Sequence, residues 1–290
     1  MIDGSHFVQV GGTRIEYAWV GEARQGSNHA TRASTPTDDT RMNIPPLMVF
    51  LHEGLGSLAL WKDFPTRLCG ALGMQGLVYS RRGYGRSTPR AADEHWATDF
   101  MHRQAIDVLP AFLKAVGVDT ARNRPWLFGH SDGASIALIH AAHHAQQVAG
   151  VVAMAPHVFV EDISIRSIRA AHQAYLEGGL RERLSRWHDE PDSAFFGWSQ
   201  AWLDEAFLGW SLVCEIAAID CPLLLIQGHQ DEYGTMAQLD AIARAVPHAM
   251  RLALDACGHS PHRDHPEAVI AAVIDWVERS TTRSVTHRLT

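Results

Sequence analysis

Six short apolar runs, at 47–51, 77–80, 126–129, 148–155, 223–227 and 250–254, alternate with longer amphipathic stretches, and proline or glycine punctuates nearly every junction. This rhythm narrows the possible folds more than any other feature of the chain. Runs that are apolar at nearly every position read as strands buried on both faces, the mark of a parallel sheet. Parallel neighbours need crossovers, and the stretches at 60–71, 96–116, 134–145, 236–245 and 266–279 have the spacing of helices that supply them. The expectation is an α/β fold with a mostly parallel central sheet and helices on both faces.

Two segments depart from the rhythm. Residues 7–10 and 14–20 flank Gly11-Gly12, and Ile15, Tyr17 and Trp19 alternate along the second arm, which predicts an N-terminal antiparallel hairpin. The polar 22–46 stretch that follows has no aromatic side chain and reads as a mobile insertion. Further on, from His157 to Asp220, 64 residues of helical periodicity separate two strands of one sheet, too long for a loop. We read 157–220 as an inserted helical cap, or lid, on a core made of 1–156 and 221–290.

The chain of 290 residues carries a formal charge of −7 with a pI near 6.2, and it has no run of lysine and arginine. Such a surface repels phosphate backbones, which argues against nucleic acid as a partner. The longest apolar runs fall far short of the roughly 20 residues that span a bilayer, and the first residues lack a signal pattern. These features predict a cytoplasmic protein that does not enter membranes and acts on a small molecule, with a homodimer left open. The four cysteines show no CxxC spacing and read as reduced thiols.

Chemistry concentrates at four places, each just beyond the end of an expected strand. Gly129-His130-Ser131-Asp132-Gly133 is G-x-S-x-G between a strand and a helix, where small neighbours permit the tight turn that lifts a serine hydroxyl above the sheet. Serine is a weak nucleophile at neutral pH and needs a base, itself oriented by a carboxylate. Asp231 follows the 223–227 strand, and His259 follows the 250–254 strand behind Gly258. Glu232 or Asp255 could stand in for Asp231, which is favoured by its distance past the strand. Finally, His52-Glu53-Gly54-Leu55-Gly56 is a glycine-rich turn after the first parallel strand.

With these four motifs in place, the chain resembles the α/β-hydrolase superfamily from about Phe7 to Arg279. Within it the chain is similar to capped esterases, C–C bond hydrolases and proline-iminopeptidase-like enzymes. The stretch Tyr79-Ser80-Arg81-Arg82-Gly83-Tyr84-Gly85-Arg86-Ser87 also resembles a loop of that superfamily. The resemblance implies a catalytic triad with Ser131 as nucleophile at the nucleophile elbow, His259 as base and Asp231 as its orienter. It further implies an oxyanion hole made of the backbone N–H groups of Gly54 and Asp132, with Leu55 the alternative to Gly54. Glu53 departs from the pattern, because many relatives carry a second glycine there, and a carboxylate beside an oxyanion must be paired or turned away.

His259, His262, Asp264 and His265 superficially resemble a metal motif, but the spacing does not match H-x-H-x-D-H, and neither a metal nor a cofactor is expected. Seven aromatic residues fall between Trp187 and Trp210. Phe195, Trp198 and Trp202 share one helical face, which can glue the cap to the core, while Leu55, Trp198 and Trp202 are candidates for an apolar wall over Ser131. The expected activity is that of a serine esterase cleaving a carboxylic ester or related acyl compound through an acyl-enzyme. The alternatives are a C–C bond hydrolase, a lactonase, a thioesterase or a proline iminopeptidase, and, in a different class, a catalytically idle ligand receptor.

Overall fold

The computed structural model describes residue 2, residues 4–21 and residues 45–286, with side chains up to residue 282. The expected insertion at 22–46 therefore lies outside the described residues, apart from its last two prolines. Eight strands form one sheet: β1 (His6–Val10), β2 (Thr13–Val20), β3 (Leu47–Leu51), β4 (Gln75–Ser80), β5 (Trp126–His130), β6 (Gly150–Met154), β7 (Leu223–Gly228) and β8 (Met250–Leu254). Their spatial order is β1-β2-β4-β3-β5-β6-β7-β8. The pairs β1–β2 and β2–β4 are antiparallel, and all later pairs are parallel. The hairpin turns through Gly11 and Gly12, both at positive φ, as a two-residue turn between right-twisted strands requires.

Strand alternation divides the core in two. On β3, Leu47, Val49 and Leu51 face one side and Met48 and Phe50 the other. The first side is covered by α2 (Phe100–Arg103), α3 (Leu109–Ala115), α4 (Asp132–His143) and α8 (Ala237–Ala245), the second by α1 (Phe64–Leu72) and by α10 (Pro266–Thr286), which follows the single turn of α9 (Pro261–Asp264). Every residue of β3, β5, β6 and β7 is buried, whereas the edge strands β1 and β8 are largely open. Between β6 and β7 the chain runs through α5 (Asp162–Leu176), α6 (Gly179–Leu184) and α7 (Pro191–Leu203). Among the described residues no helix is long and apolar enough to cross a membrane.

Two expected helices differ in detail. The 60–71 stretch splits at Lys62, which takes a positive φ of 54°, and α1 starts only at Phe64 with Pro65 in its first turn. The 96–116 stretch becomes helical only at Phe100 and widens into a π-helical turn over Gln104–Val108 before α3. Pro110 explains the widening, since it has no N–H to give to the carbonyl of Ile106, where a regular α-helix would require one.

Candidate active site

Four loops converge beyond the carboxyl ends of β3, β5, β7 and β8. At the β5–α4 turn, Ser131 adopts φ 54° and ψ −120°, a conformation costly for any residue with a side chain. The backbone is held there on both sides. Ser131 N–H donates to the Met154 carbonyl at 2.9 Å, and the N–H groups of Ala134 and Ser135 donate to the Ser131 carbonyl at 2.8 and 3.0 Å. Gly133 is dictated by space, because a methyl there would lie 2.1 Å from the Leu51 carbonyl oxygen.

The Asp231 carboxylate is built into its loop before it meets a histidine. Oδ1 accepts the N–H groups of Tyr233 and Gly234 at 2.8 and 3.2 Å, and Oδ2 accepts Gln227 Nε2 at 3.1 Å. His259 Nδ1 then donates to both oxygens, at 2.8 and 2.9 Å. An ionised carboxylate only accepts, so the proton is on Nδ1, and Nε2 is left to accept the Ser131 hydroxyl at 2.9 Å. Burial disfavours the charged form of each partner, but each outweighs it in the other: the His259 imidazole is held above its ordinary range and the Asp231 carboxyl below its own. The other two acids lie elsewhere. Glu232 accepts the backbone N–H of His259 at 3.1 Å, and Asp255, 97% exposed, lies beside His229.

The turn after β3 is braced from two sides. His52 Nδ1 donates to the Glu53 carbonyl at 2.7 Å, and its Nε2 accepts the N–H of Arg81 at 3.0 Å. Arg81, almost fully buried, reaches the carbonyls of His52 and Glu53 with its guanidinium. From the 157–220 segment, His188 donates through Nε2 to the Leu55 carbonyl at 3.1 Å and accepts the Gly85 N–H on Nδ1 at 2.9 Å. Burial lowers the His188 pKa to about 4, so the ring is neutral and can do both. Among the described residues, the N–H groups of Gly54 and Asp132 make no hydrogen bond.

Glu53, the departure from the family pattern, is paired. Its carboxylate lies 3.4 Å from His130 Nδ1 and 3.3 Å from Arg263. Burial favours the neutral acid, but His130 and Arg263 overcome it and hold the group well below the usual carboxylate range. His130 Nε2 donates to the backbone carbonyl of His259 at 2.7 Å, so this pair also supports the histidine loop. The remaining members of the metal-like run brace the same loop. Asp264 accepts the Gly258 N–H at 2.9 Å, His265 donates to the Ala256 carbonyl at 3.1 Å, and His262 packs on Trp61, Phe64 and His130.

A cavity of about 120 Å³ opens at Ser131. Leu55, Trp198 and Trp202, the expected wall, line it with Gly54, Asp132 and His259. Phe195 does not join them and instead stacks on Tyr175 with ring centroids 3.8 Å apart. Glu53 lines it too, and sequence reasoning missed His157, Ser164, Ile168 and Tyr233, which complete the lining. Tyr233 follows the Asp231 motif closely enough to have been a candidate, whereas nothing in the sequence marks the other three. His157 is neutral, its pKa lowered to about 3 by burial and by His259 beside it.

The sequence pattern of the alpha/beta hydrolase family matches residues 48–272. The chain is similar to a 2-succinyl-6-hydroxy-2,4-cyclohexadiene-1-carboxylate synthase from Enterobacter sp. (strain 638), at 28% identity over 262 residues that cover 81% of this chain and 93% of the relative. Among solved structures, it is similar to a carboxylesterase from the thaumarchaeon Nitrososphaera gargenis, with a TM-score of 0.73, 14% identity and coverage of 96% of this chain and 100% of that one. The enol-lactonase from Burkholderia xenovorans LB400 matches with a TM-score of 0.67 and 20% identity, covering 94% of this chain and 100% of that one. By sheet order, by the placing of its loops and by its sequence, the chain belongs to the alpha/beta hydrolase family.

Proposed function

We propose that the protein is a serine hydrolase that cleaves a compact, uncharged carboxylic ester or related acyl compound through an acyl-enzyme. The observation that carries this reading is the unbroken run of hydrogen bonds from Asp231 through His259 to Ser131 at the mouth of the cavity. Ser131 Oγ attacks the carbonyl carbon as its proton passes to His259 Nε2, and Asp231 steadies the imidazolium. The developing oxyanion accepts the unspent N–H groups of Gly54 and Asp132, the latter in the first turn of α4, where the helix dipole adds to the field. His259 then returns the proton to the leaving alcohol and activates water to release the acid.

Cavity size and lining support the substrate class. A space of about 120 Å³ walled by Leu55, Ile168, Trp198, Trp202 and Tyr233 suits a short or compact apolar group. Among the described residues no lysine or arginine lines it, while Glu53 does, so among these residues a substrate with several carboxylates, of the kind the name of the Enterobacter relative describes, would enter unpaired. The 157–220 helices act in this reading as a cap, with Trp198 and Trp202 of α7 forming the roof. Fluorophosphonate labelling tests the proposal: wild type should be labelled and Ser131→Ala should not. An unlabelled wild type would favour an idle receptor, and preferential turnover of a ring-cleavage dienoic acid over p-nitrophenyl esters would favour C–C bond hydrolysis.

A further inference from the structure

Two indoles stand about one turn apart on α7 and use their N–H groups differently. Trp202 donates to the Asp132 carboxylate at 3.1 Å. Trp198 Nε1 makes no hydrogen bond among the described residues, yet it is not one of the sealed polar atoms, as the N–H groups of Trp61 and Trp210 are. It is therefore open to the cavity that Trp198 lines, although the residue is only 6% exposed. The ring sits against the turn after β3. A methyl placed on Gly54 would lie 2.2 Å from Trp198 Nε1 and 2.3 Å from Cδ1, so the edge that carries the N–H presses on the Gly54 backbone. Gly54 is not at positive φ, so its glycine answers to the indole above it rather than to backbone conformation.

We infer that Trp198 Nε1–H is a third donor to the oxyanion, a catalytic residue carried by α7 and acting beside the N–H groups of Gly54 and Asp132. The inference rests on the acyl-transfer reading above. As Ser131 Oγ bonds to the carbonyl carbon, the π electron pair moves to oxygen and the hydroxyl proton moves to His259; the new charge grows within reach of the indole edge over Gly54. Glu53 gives the extra donor its purpose. A carboxylate one residue from the hole opposes negative charge there even when it is paired, and a fixed neutral dipole offsets this without adding an ion. The cap thereby takes part in the chemistry as well as in substrate enclosure.

Two variants test the assignment: Trp198→Phe, and replacement of Trp198 by β-(3-benzothienyl)alanine, which keeps the bicyclic shape but has no N–H. Removing a backbone or amide donor from an oxyanion hole costs about 10²–10³ in kcat, so a flanking third donor should cost about ten- to a hundredfold. The expected result on p-nitrophenyl butyrate is a kcat loss of that size in both variants with KM within about threefold. Affinity for a trifluoromethyl ketone, which adds to Ser131 to give a tetrahedral oxyanion, should fall by the same factor. Wild-type kcat in the isosteric variant, or a kcat loss with undiminished ketone affinity, would overturn the inference. Fluorophosphonate labelling of wild type separates the two levels: a labelled enzyme with unaffected variants sinks this assignment alone, and an unlabelled one sinks the acyl-transfer reading with it.

Discussion

Replacing Asp231 by Asn should disable the base without emptying the site. Oδ1 already accepts two backbone N–H groups, so the amide oxygen of Asn must take that position, and its NH₂ must take the place of Oδ2. There the NH₂ meets two donors, Gln227 Nε2 and the Nδ1–H of His259. The buried donor clash costs about 1–3 kcal/mol. It is relieved at His259 if the ring carries its proton on Nε2 and accepts from Asn on Nδ1. That tautomer points a proton at Ser131 Oγ, which then cannot transfer its own. The loss should be about 10⁴ in kcat, or about 5.5 kcal/mol of transition-state stabilisation. Burial lowers the His259 pKa, and loss of the anion removes the strongest of the charges that lift it against that burial, leaving only the weaker lift of Glu232 and Glu53. Wild-type kcat/KM should therefore rise through an inflection above 6.5, and the residual activity of the variant through one that is lower. Steady-state rates on a short-chain p-nitrophenyl ester between pH 5 and 9 give both readings. Activity within tenfold of wild type, with an unmoved acid limb, would refute the reasoning.

Further outcomes follow from the surrounding structure. Gly133→Ala sets a methyl 2.1 Å from the Leu51 carbonyl oxygen of a central strand that cannot yield, and should destabilise the fold by about 3 kcal/mol or more, read as a lower urea midpoint. Glu53→Gln tests the paired carboxylate. Because the folded-state pKa is depressed, the charge contributes stability above the unfolded value near 4.5, and that contribution is lost as pH falls through the folded value. The variant should be less stable than wild type at pH 7, and the gap should close on acidification below about 4.5; a constant gap in thermal melts would contradict the pairing. A p-nitrophenyl ester series should favour acetyl to butyryl over octanoyl, and Ile168→Ala should extend tolerance to longer chains, whereas a flat profile would show that the cavity does not set chain length.

The sheet was legible because its inner strands are buried on both faces, which leaves unbroken apolar runs such as 47–51 and 223–226 in the sequence. The turn at Ser131 was legible because the close approach of neighbouring backbone leaves no room for a side chain at Gly129 and Gly133. Asp231 and His259 were legible only jointly, each just beyond a strand end. What the sequence hid consists of long-range contacts. Arg263 meets Glu53 across 210 positions and His188 meets Leu55 across 133, and neither pairing leaves a local pattern. His157 and Ile168 stand in ordinary surroundings in the sequence and matter only because the chain between β6 and β7 returns over Ser131. The break at Lys62 and the widened turn before Pro110 were missed because apolar periodicity continues through both.

Intact-mass spectrometry during turnover of p-nitrophenyl butyrate puts the covalent route to the test most directly. A rapid burst of p-nitrophenol close to one equivalent per chain should coincide with a butyryl mass increment that maps to Ser131 and is absent from Ser131→Ala. Steady turnover with no burst and no adduct, persisting in the alanine variant, would contradict the account.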